Sequence, residues 1–336
     1  MRKSKSVEKW VLALLIVVLI FSSSPLATWA KANELEVVFI NVTNDTYEKG
    51  DATLLNCNGK YVLIDGGKSG AYTDKLKKYL TQYCKKTNGK IVLEAIIASH
   101  NHSDHIGGLT KLLNDTNTFT VKRVIKSSFD PVASFNTACN KANAVTTLKA
   151  NSAKYSFTLN GTTITVYPPI ADPTVANNRS MITTTKGAGK YLFTGDLYFS
   201  GIKAAKKQYP EVFNIKGGYD ACKFAHHGHR GGGNGGILPA VKEEVKWYND
   251  NVNADAYYLS ASKRFVNKDV DIAKLKGNEL SIRKNFDYIK ANLGGYFTVA
   301  SYQGNMKSNG RSVCIQNYID SLLGKEVVQA VRDHFK

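Results

Sequence analysis

Cysteine is scarce in this chain, with five among 336 residues and no CxxC pair. An odd number of widely spaced cysteines argues against a disulfide framework and against a zinc site built from thiolates. We expect most of them to be buried small apolar side chains, with a single bridge in an oxidising compartment as the alternative. They are Cys57, Cys84, Cys139, Cys222 and Cys314.

Long apolar runs are also lacking. The run over residues 11–21 has eleven residues, short of the roughly 20 needed to cross a bilayer. Basic residues precede it and small residues follow it, an order typical of a secretory signal peptide over residues 1–30. We expect cleavage after Ala30 or Ala32, with an uncleaved N-terminal anchor as the alternative. Either way the remainder is expected to be secreted, or to lie at the cell surface.

Internal repeats, low-complexity tracts and Pro/Gly/Ser-rich linkers are missing from the rest of the chain. Apolar residues make up 43% and charged residues 21%, proportions that are ordinary for a globular protein and argue against disorder. We therefore predict a single domain over residues 33–336.

Negative charge is in short supply. The formal net charge is +18, and the four basic residues and one acidic residue within 1–30 leave +15 for the remainder. Such an excess favours anionic partners, such as nucleic acid, teichoic-acid-like wall polymers or anionic lipid surfaces. The alternative is a lysine-rich exported protein that simply resides in a polyanionic envelope. Charge indicates a class of partner and does not choose within it.

The pattern of apolar residues predicts more strands than helices. A hairpin is expected over 51–65 with its turn at Asn58-Gly59, and a helix over 76–83 from the i, i+3, i+4, i+7 spacing. Further helices are expected at 108–114 and 280–293, and a final hairpin at 295–305 with 311–318. Other strands are predicted at 34–42, 91–100, 121–128, 162–169, 191–197, 222–228 and 255–262. Helices between groups of strands suit two sheets sandwiched between helices.

The main chemical signal is the sequence SHNHSDHIGG over residues 99–108. It places three of the seven histidines and a carboxylate within six residues, directly after an apolar strand. Alternate residues point the same way, so His100 and His102 can reach one metal, while Asp104 and His105 can face a second. Imidazole and carboxylate ligands suit zinc, manganese or iron. Gly107-Gly108 is expected to provide a tight turn.

Two further polar clusters follow apolar strands. Asp196 lies near the end of the strand predicted at 191–197, where a carboxylate could lie between two cations. His226 and His227 end the strand predicted at 222–228. Since three strands finish in such clusters, we expect their ends to converge on one site.

These motifs resemble those of the metallo-β-lactamase superfamily, which carries HxHxDH, then a strand-ending GD, then a late histidine. The set LIDGG, SHNHSDHIGG, NNRSM, YLFTGD and AHHG resembles in particular the exported branch. That branch includes the hydrolase domain of the DNA-uptake protein ComEC and secreted phosphorylcholine esterases. The resemblance extends over about residues 34–320.

The resemblance implies an α+β four-layer αββα sandwich and one or two divalent metal ions, with zinc preferred and manganese as the alternative. One metal would be held by His100 and His102, with Asp196 bridging to the other. The implied ligands of the second metal are Asp104, His105 and His227. Asp104 or Asp196 would orient the attacking water, and His226 would face the phosphoryl group of the substrate or support a ligand. The choice between His226 and His227 as ligand stays open, and the resemblance favours His227.

One departure from the superfamily pattern concerns a further histidine that usually lies between HxHxDH and the GD aspartate. This chain has none between His105 and His226, and Tyr167-Pro168-Pro169 lies near the expected position. The metal site at His100 and His102 would therefore have one protein ligand fewer. It would bind weakly, fill with water, or keep the open position that a catalytic metal needs.

Together these features predict an exported phosphodiesterase or phosphoesterase acting on nucleic acid or on phosphodiesters of wall polymers. Asp65 is expected to support the metal cluster from a neighbouring strand end. Ser180 is expected to cap a backbone segment or to form a hydrogen bond near a ligand. The loop 228–236, with Arg230, is expected either to bind phosphate or to be a plain turn. Hydrolysis of a lactone or β-lactam is a second hypothesis, and a non-catalytic polyanion-binding module is a third. Redox chemistry at iron is disfavoured, because His102 stands where the di-iron relatives carry a carboxylate.

Overall fold

The computed structural model describes residues 35–42, 50–170, 175–228, 238–261, 277–294, 296–299 and 306–308. The signal segment predicted at 1–30 lies outside these residues, as do Cys314 and the strand predicted at 311–318. The glycine-rich loop also lies outside them from residue 229 onward, and with it Arg230. In the described part, no helix is long and apolar enough to cross a membrane.

The first sheet is mixed and has nine described strands, eight from the first half of the chain and one from residues 306–308. Its main path runs β16-β1-β2-β3-β5-β7-β8, and β4 and β6 pair with β5. Strands β1, β2 and β3 are antiparallel, whereas β3, β5, β7 and β8 run parallel. The strands are β1 (Leu35–Phe39), β2 (Thr53–Cys57), β3 (Lys60–Ile64), β4 (Lys86–Thr87), β5 (Lys90–Ala98), β6 (Phe119–Val121), β7 (Val124–Ser127), β8 (Val145–Leu148) and β16 (Met306–Ser308).

The second half forms a mixed sheet of seven described strands in the order β15-β14-β13-β12-β11-β10-β9. Strands β9 to β12 are antiparallel, and β12 to β15 are parallel. The strands are β9 (Tyr155–Leu159), β10 (Thr162–Tyr167), β11 (Ile182–Lys186), β12 (Tyr191–Phe193), β13 (Ala221–Lys223), β14 (Ala256–Leu259) and β15 (Tyr296–Val299).

Helices cover the outer face of each sheet. Three lie against the first sheet: α1 (Ala71–Tyr83), α2 (Ser103–Asn114) and α3 (Ala133–Cys139). Three pack against the second: α4 (Phe199–Gln208), α5 (Leu238–Asn251) and α6 (Gly277–Asn292). This is the four-layer αββα sandwich that the sequence predicts.

The apolar core has three layers because successive strand residues point to opposite faces. Leu54 and Leu63 pack outward against the helices of the first sheet. Their neighbours Leu55 and Val62 pack inward, where the two sheets meet, against residues such as Tyr191. Strands buried on both faces explain why their sequences are nearly continuous apolar runs.

The predicted hairpin and first helix are confirmed. β2 and β3 pair from Thr53↔Ile64 to Cys57↔Lys60, and the turn residues Asn58 and Gly59 have φ of 49° and 83°. Positive φ at both residues is the type I′ turn that Asn-Gly favours. Four cysteines, at 57, 84, 139 and 222, are buried with free thiols, as expected.

The role predicted for Gly107-Gly108 is wrong. Both residues lie inside α2, which begins at Ser103 instead of residue 108. A Cβ on Gly108 would lie 1.9 Å from the carbonyl oxygen of Gly66, and one on Gly107 would lie 2.5 Å from the backbone nitrogen of Ser69. The glycines therefore let the helix pack directly on the loop after β3, and they do not form a turn.

Other boundaries also differ from prediction. The strand expected over 121–128 is β7, and Val121 instead ends a separate short strand, β6; both strands pair with β5. Strands β12 and β13 end at Phe193 and Lys223, so the GD and HHG motifs lie in the connections that follow. β15 runs parallel to β14 in the second sheet, whereas β16 pairs with β1 in the first. The hairpin expected at 295–305 with 311–318 stays a prediction.

Candidate metal centre

The ends of the central strands carry the polar clusters to one place between the sheets. His100 follows β5, Asp196 follows β12 and His227 follows β13, and all three are buried. Strands β3 and β5 are parallel neighbours, as are β12 and β13, so their carboxyl ends lie at one edge of each sheet. The predicted convergence of these segments is therefore present in the fold.

The carboxylate of Asp196 is the centre of the cluster. Its Oδ2 lies 3.2 Å from Nε2 of His105, 3.2 Å from Nε2 of His227 and 4.0 Å from Nε2 of His100. Oδ2 of Asp104 lies 3.5 Å from Nε2 of His227. Two ligand atoms of a tetrahedral zinc, each about 2 Å from it, are roughly 3.3 Å apart. The spacing of these side chains therefore fits a shared divalent cation.

Outer partners fix which ring nitrogen of each histidine faces Asp196. Nδ1 of His105 lies 2.8 Å from Oδ2 of Asp65, and Nδ1 of His227 lies 3.0 Å from the carbonyl oxygen of Ser260. A histidine that donates from Nδ1 presents the lone pair of Nε2, which is the arrangement of metal-binding histidines. Both Nε2 atoms are thus directed to the same carboxylate.

Asp65 supports the cluster from behind, as predicted. The backbone N–H and the hydroxyl of Ser99 donate to its carboxylate at 2.8 and 2.7 Å. Burial raises the pKa of Asp65, and the adjacent His105 opposes this effect. Because Ser99 and His105 hold it on both sides, Asp65 orients the His105 ring.

Asp51 and Lys223 belong to the same buried group and were missed in the sequence. Ligating atoms of Asp51, His105, Asp196 and His227 can all lie within 4.8 Å of one another. However, Asp51 lies on the Nδ1 side of both rings, 3.8 Å from His105 and 3.5 Å from His227. It also contacts the Lys223 ammonium and accepts from the Ser260 hydroxyl. Asp51 therefore lies behind the two imidazole rings, and Asp196 lies in front of them at Nε2.

Lys223 is a buried cation of this cluster and is only 4% exposed. Its Nζ donates to the carbonyl oxygen of Gly195 at 3.0 Å and lies 3.5 Å from Oδ1 of Asp196. Burial alone would lower its pKa, but the carboxylates of Asp51 and Asp196 outweigh burial and raise it. The ammonium is therefore charged at neutral pH and pairs with both carboxylates.

The pKa values show how strongly the carboxylates attract positive charge. Burial opposes protonation of His105 and His227, yet Asp196 and its neighbours raise the pKa of His105 well above its usual value and that of His227 to about 10. Burial would raise the pKa of Asp196, but His227, His105 and Lys223 hold it well below its usual range. A divalent cation would supply the same positive charge in place of the two protons.

His100 adds a direct sign that the donor set fits a metal. It is 2% exposed, and its Nε2 has no hydrogen-bond partner in the described part of the chain. Burial and the neighbouring His105 lower its pKa well below the usual value, so the ring is neutral. A buried neutral imidazole with an unshared lone pair suits metal ligation. The half-buried ring of His102 lies edge-on to it, with ring centroids 4.5 Å apart.

The late His-His pair divides into two roles. His226 and His227 have φ of 48° and 54°, an uncommon left-handed backbone for two successive residues other than glycine. As a result the side chains diverge: His227 is buried with Nε2 at Asp196, while His226 is half-buried beside Tyr198, with ring centroids 4.9 Å apart. The geometry thus places His227 in the cluster and His226 outside it.

The backbone before Asp196 explains why glycine precedes it. Gly195 has φ of 54°, and a Cβ there would lie 2.9 Å from the Cβ of Ser180. Ser180 in turn accepts a hydrogen bond from the Asp196 N–H at 3.1 Å and donates to the carbonyl oxygen of Asn177 at 2.8 Å. Ser180 therefore positions the Asp196 segment, close to the role considered for it. Tyr167 packs on Tyr209 in the core between the second sheet and its helices.

The comparisons with known proteins agree with this architecture. Residues 46–126, which contain Asp51, Asp65 and the 99–108 motif, match the family model of the metallo-beta-lactamase superfamily. The match and the two mixed sheets of the described residues indicate the metallo-β-lactamase fold. A comparison with curated protein sequences finds no match.

Solved structures with the metallo-β-lactamase fold are similar to the chain at low identity. The fold protein YhfI from Bacillus subtilis is 14% identical, with 82% of this chain and 100% of that chain covered and a TM-score of 0.48. The short form of human tRNase Z is 15% identical, with 67% and 92% covered and a TM-score of 0.39. A diphosphatase of the PhnP family is 12% identical, with 81% and 97% covered and a TM-score of 0.44. Likenesses of this size carry no information on activity.

Proposed function

We propose that this protein is an exported metal-dependent hydrolase that cleaves phosphodiesters or related phosphoesters in nucleic acid or wall polymers. The observation that carries the proposal is the convergence of three Nε2 atoms on the Asp196 carboxylate, two of them with Nδ1 held by outer partners. The resemblance to the exported branch and the net charge of +15 outside residues 1–30 support an anionic substrate. Secretion, or retention at the cell surface, is part of the proposal and rests on the sequence of residues 1–30.

Divalent cations, with zinc preferred and manganese as the alternative, would supply Lewis acidity toward phosphoryl and water oxygens. The side chains that would hold them are His100, His102, Asp104, His105, Asp196 and His227. Lys223 and Asp65 hold Asp196 and His105 in place from behind.

Asp104 and His226 are the side chains best placed to act on substrate. Asp104 is 22% exposed at its side chain, and although burial opposes ionisation, His227 and His105 keep its pKa below the usual range. Asp104 is therefore ionised, and a carboxylate of such low pKa orients an attacking water by accepting its hydrogen bond. His226 is half-buried beside Tyr198 and would contact the phosphoryl group or protonate the leaving oxygen.

The test is hydrolysis of bis-p-nitrophenyl phosphate and of DNA and RNA oligonucleotides by the purified protein with zinc or manganese. We expect turnover that is lost in Asp196→Asn and unchanged in Asp74→Asn, a matched substitution at an exposed aspartate on α1. Inactivity on all of these substrates, in protein that binds metal, would contradict the proposal. Turnover of nitrocefin or an acyl-homoserine lactone instead would favour lactone or β-lactam hydrolysis. Polyanion binding without turnover, retained in Asp104→Ala, would favour a non-catalytic module.

A further inference from the structure

The connection between β12 and α4 holds His226 at two points. The backbone N–H of His226 donates to the carbonyl oxygen of Gly195 at 3.2 Å. The imidazole of His226 lies against the ring of Tyr198, with centroids 4.9 Å apart and planes inclined at 59°. Asp196 lies between Gly195 and Tyr198 in the chain. One short segment therefore carries a candidate metal ligand and contacts both the backbone and the ring of His226.

Two buried asparagines in turn hold Tyr198. The amide oxygen of Asn178 accepts from the Tyr198 N–H at 3.0 Å, and its amide nitrogen donates to the Ser200 hydroxyl at 3.2 Å. The hydroxyl of Tyr198 is hydrogen-bonded to the side chain of Asn177. Both asparagines are 5% exposed. A Cβ on Gly201 would lie 2.2 Å from Oδ1 of Asn178, so the glycine leaves room for this amide.

This network makes the Tyr198 ring a fixed surface beside His226. Tyr198 and His226 are each half-buried, whereas the asparagines behind Tyr198 are buried. Because buried groups hold the backbone and the hydroxyl of Tyr198, its ring has little freedom to move. A tilted pair of rings at this separation is attractive, so the imidazole gains by packing on the tyrosine. A half-buried side chain that packs on a fixed neighbour keeps one rotamer.

We propose that Tyr198 positions the His226 imidazole for proton donation to the leaving oxygen of the substrate. The inference rests on the proposed function, in which His226 contacts the phosphoryl group or protonates that oxygen. Water attacks the phosphorus and releases a proton to solvent, the P–O bond to the leaving group breaks, and the leaving oxygen takes a proton from the imidazolium. Solvent then returns a proton to the ring. Tyr198 acts through His226 and does not itself bond to the substrate.

The first test compares two substrates with different leaving groups. Bis-p-nitrophenyl phosphate releases a stable phenolate and needs little protonation, whereas a dinucleoside monophosphate releases an alkoxide that needs a proton. Tyr198→Leu and Tyr198→Ser remove the ring, and serine also suits the N-cap of α4. We expect kcat on the dinucleotide to fall by about 10–100-fold in both variants and in His226→Ala. On bis-p-nitrophenyl phosphate the loss should stay below about threefold, because the proton contributes little there.

Two further variants separate positioning from a structural role. Tyr198→Phe keeps the ring, so it should retain most of the activity on the dinucleotide. Tyr198→Leu combined with His226→Ala should be no slower than His226→Ala alone, within about twofold, because both changes remove the same contribution. Tyr288→Leu is the matched control, at a half-buried tyrosine on α6 whose ring faces Lys242. Its activity should equal that of the parent.

The second test needs no turnover. NMR of the metal-free protein with ¹³C-labelled histidine reports the His226 ring, whose signal is identified by its loss in His226→Ala. We expect that signal to move toward the shift of an exposed histidine in Tyr198→Leu and Tyr198→Ser. It should stay close to the parent shift in Tyr198→Phe and Tyr288→Leu.

Four results would overturn the proposal. They are an unchanged His226 signal in Tyr198→Leu, equal losses of kcat on the two substrates, an additive loss in the double variant, and a Tyr198→Phe protein as slow as Tyr198→Leu. Absence of turnover in the parent would contradict the proposed function instead. The NMR result alone would then decide whether Tyr198 fixes the His226 ring.

Discussion

Replacing Lys223 with methionine removes a buried ammonium from the cluster around Asp51 and Asp196. The substitution preserves most of the side-chain volume, so its effect is mainly electrostatic. Lys223 contacts the carboxylate of Asp51 and lies 3.5 Å from that of Asp196, and all three residues are buried. Breaking a buried ion pair by removing one partner typically lowers the free energy of unfolding by about 3–5 kcal/mol. We expect a loss of that size in metal-free protein at pH 7, measured by urea unfolding followed by circular dichroism.

The pH dependence of this loss has a definite sign. In the parent protein, burial would raise the pKa of Asp51, but Lys223 and His227 outweigh burial and lower it. Without Lys223 the effect of burial gains weight and the pKa of Asp51 rises, so protonation relieves the unpaired charge as the pH falls. The difference in stability between variant and parent should therefore shrink from pH 7 to pH 5.

The matched control is Lys203→Met, which breaks an exposed pair with Glu243 at 3.3 Å. Exposed pairs contribute about 0–1 kcal/mol, so this variant should unfold close to the parent. A Lys223→Met protein as stable as the parent at pH 7 would refute the reasoning, because Asp51 and Asp196 would then tolerate burial without the Lys223 ammonium.

Three further predictions concern the metal centre and the helix that carries it. The pKa of His227 is raised to about 10 and that of His105 is also raised, so zinc binding at pH 7 should release protons and weaken as the pH falls. Calorimetry in buffers of different ionisation enthalpy should show the proton release. Heats of binding that do not depend on the buffer would contradict it. Asp65→Asn should lower zinc affinity by about 10–100-fold in a competitive chelator titration, and unchanged affinity would mean that Asp65 does not orient His105. Gly108→Ala places a methyl group 1.9 Å from the carbonyl oxygen of Gly66 and should lower the free energy of unfolding by about 1–3 kcal/mol or more. An unchanged free energy of unfolding would show that the loop at Gly66 moves to make room for the methyl group.

The sequence predicts the layers and the convergence of the site better than the element boundaries. Strands that are buried on both faces lack the alternation of apolar and polar residues that identifies a half-buried strand. The continuous apolar runs and the Asn-Gly turn still identify β2, β3 and β5. The start of α2 at Ser103 escapes prediction, because the apolar residues of that helix begin only at Ile106. The role of Gly107 and Gly108 was predicted wrongly because the helix backbone packs closely on the loop at Gly66, and the local sequence does not indicate such a long-range contact.

Within the site, the residues grouped in motifs were found and the isolated ones were not. Asp51 lies ahead of β2 with no neighbouring pattern, and its partners are distant in sequence, Ser260 by 209 positions. Lys223 did leave a signal, since a lysine interrupts the otherwise apolar run directly before the HHG motif. A buried lysine in such a position needs carboxylate partners, so it could have indicated a second acidic residue in the cluster.

We expect His105, Asp196 and His227 to share a divalent cation. A crystal structure of the protein grown with zinc, with anomalous data collected across the zinc edge, tests it most directly. The expected result is an anomalous peak within bonding distance of Nε2 of both histidines and of Oδ2 of Asp196. Zinc bound only elsewhere, in crystals where these three side chains keep the distances given above, would contradict it.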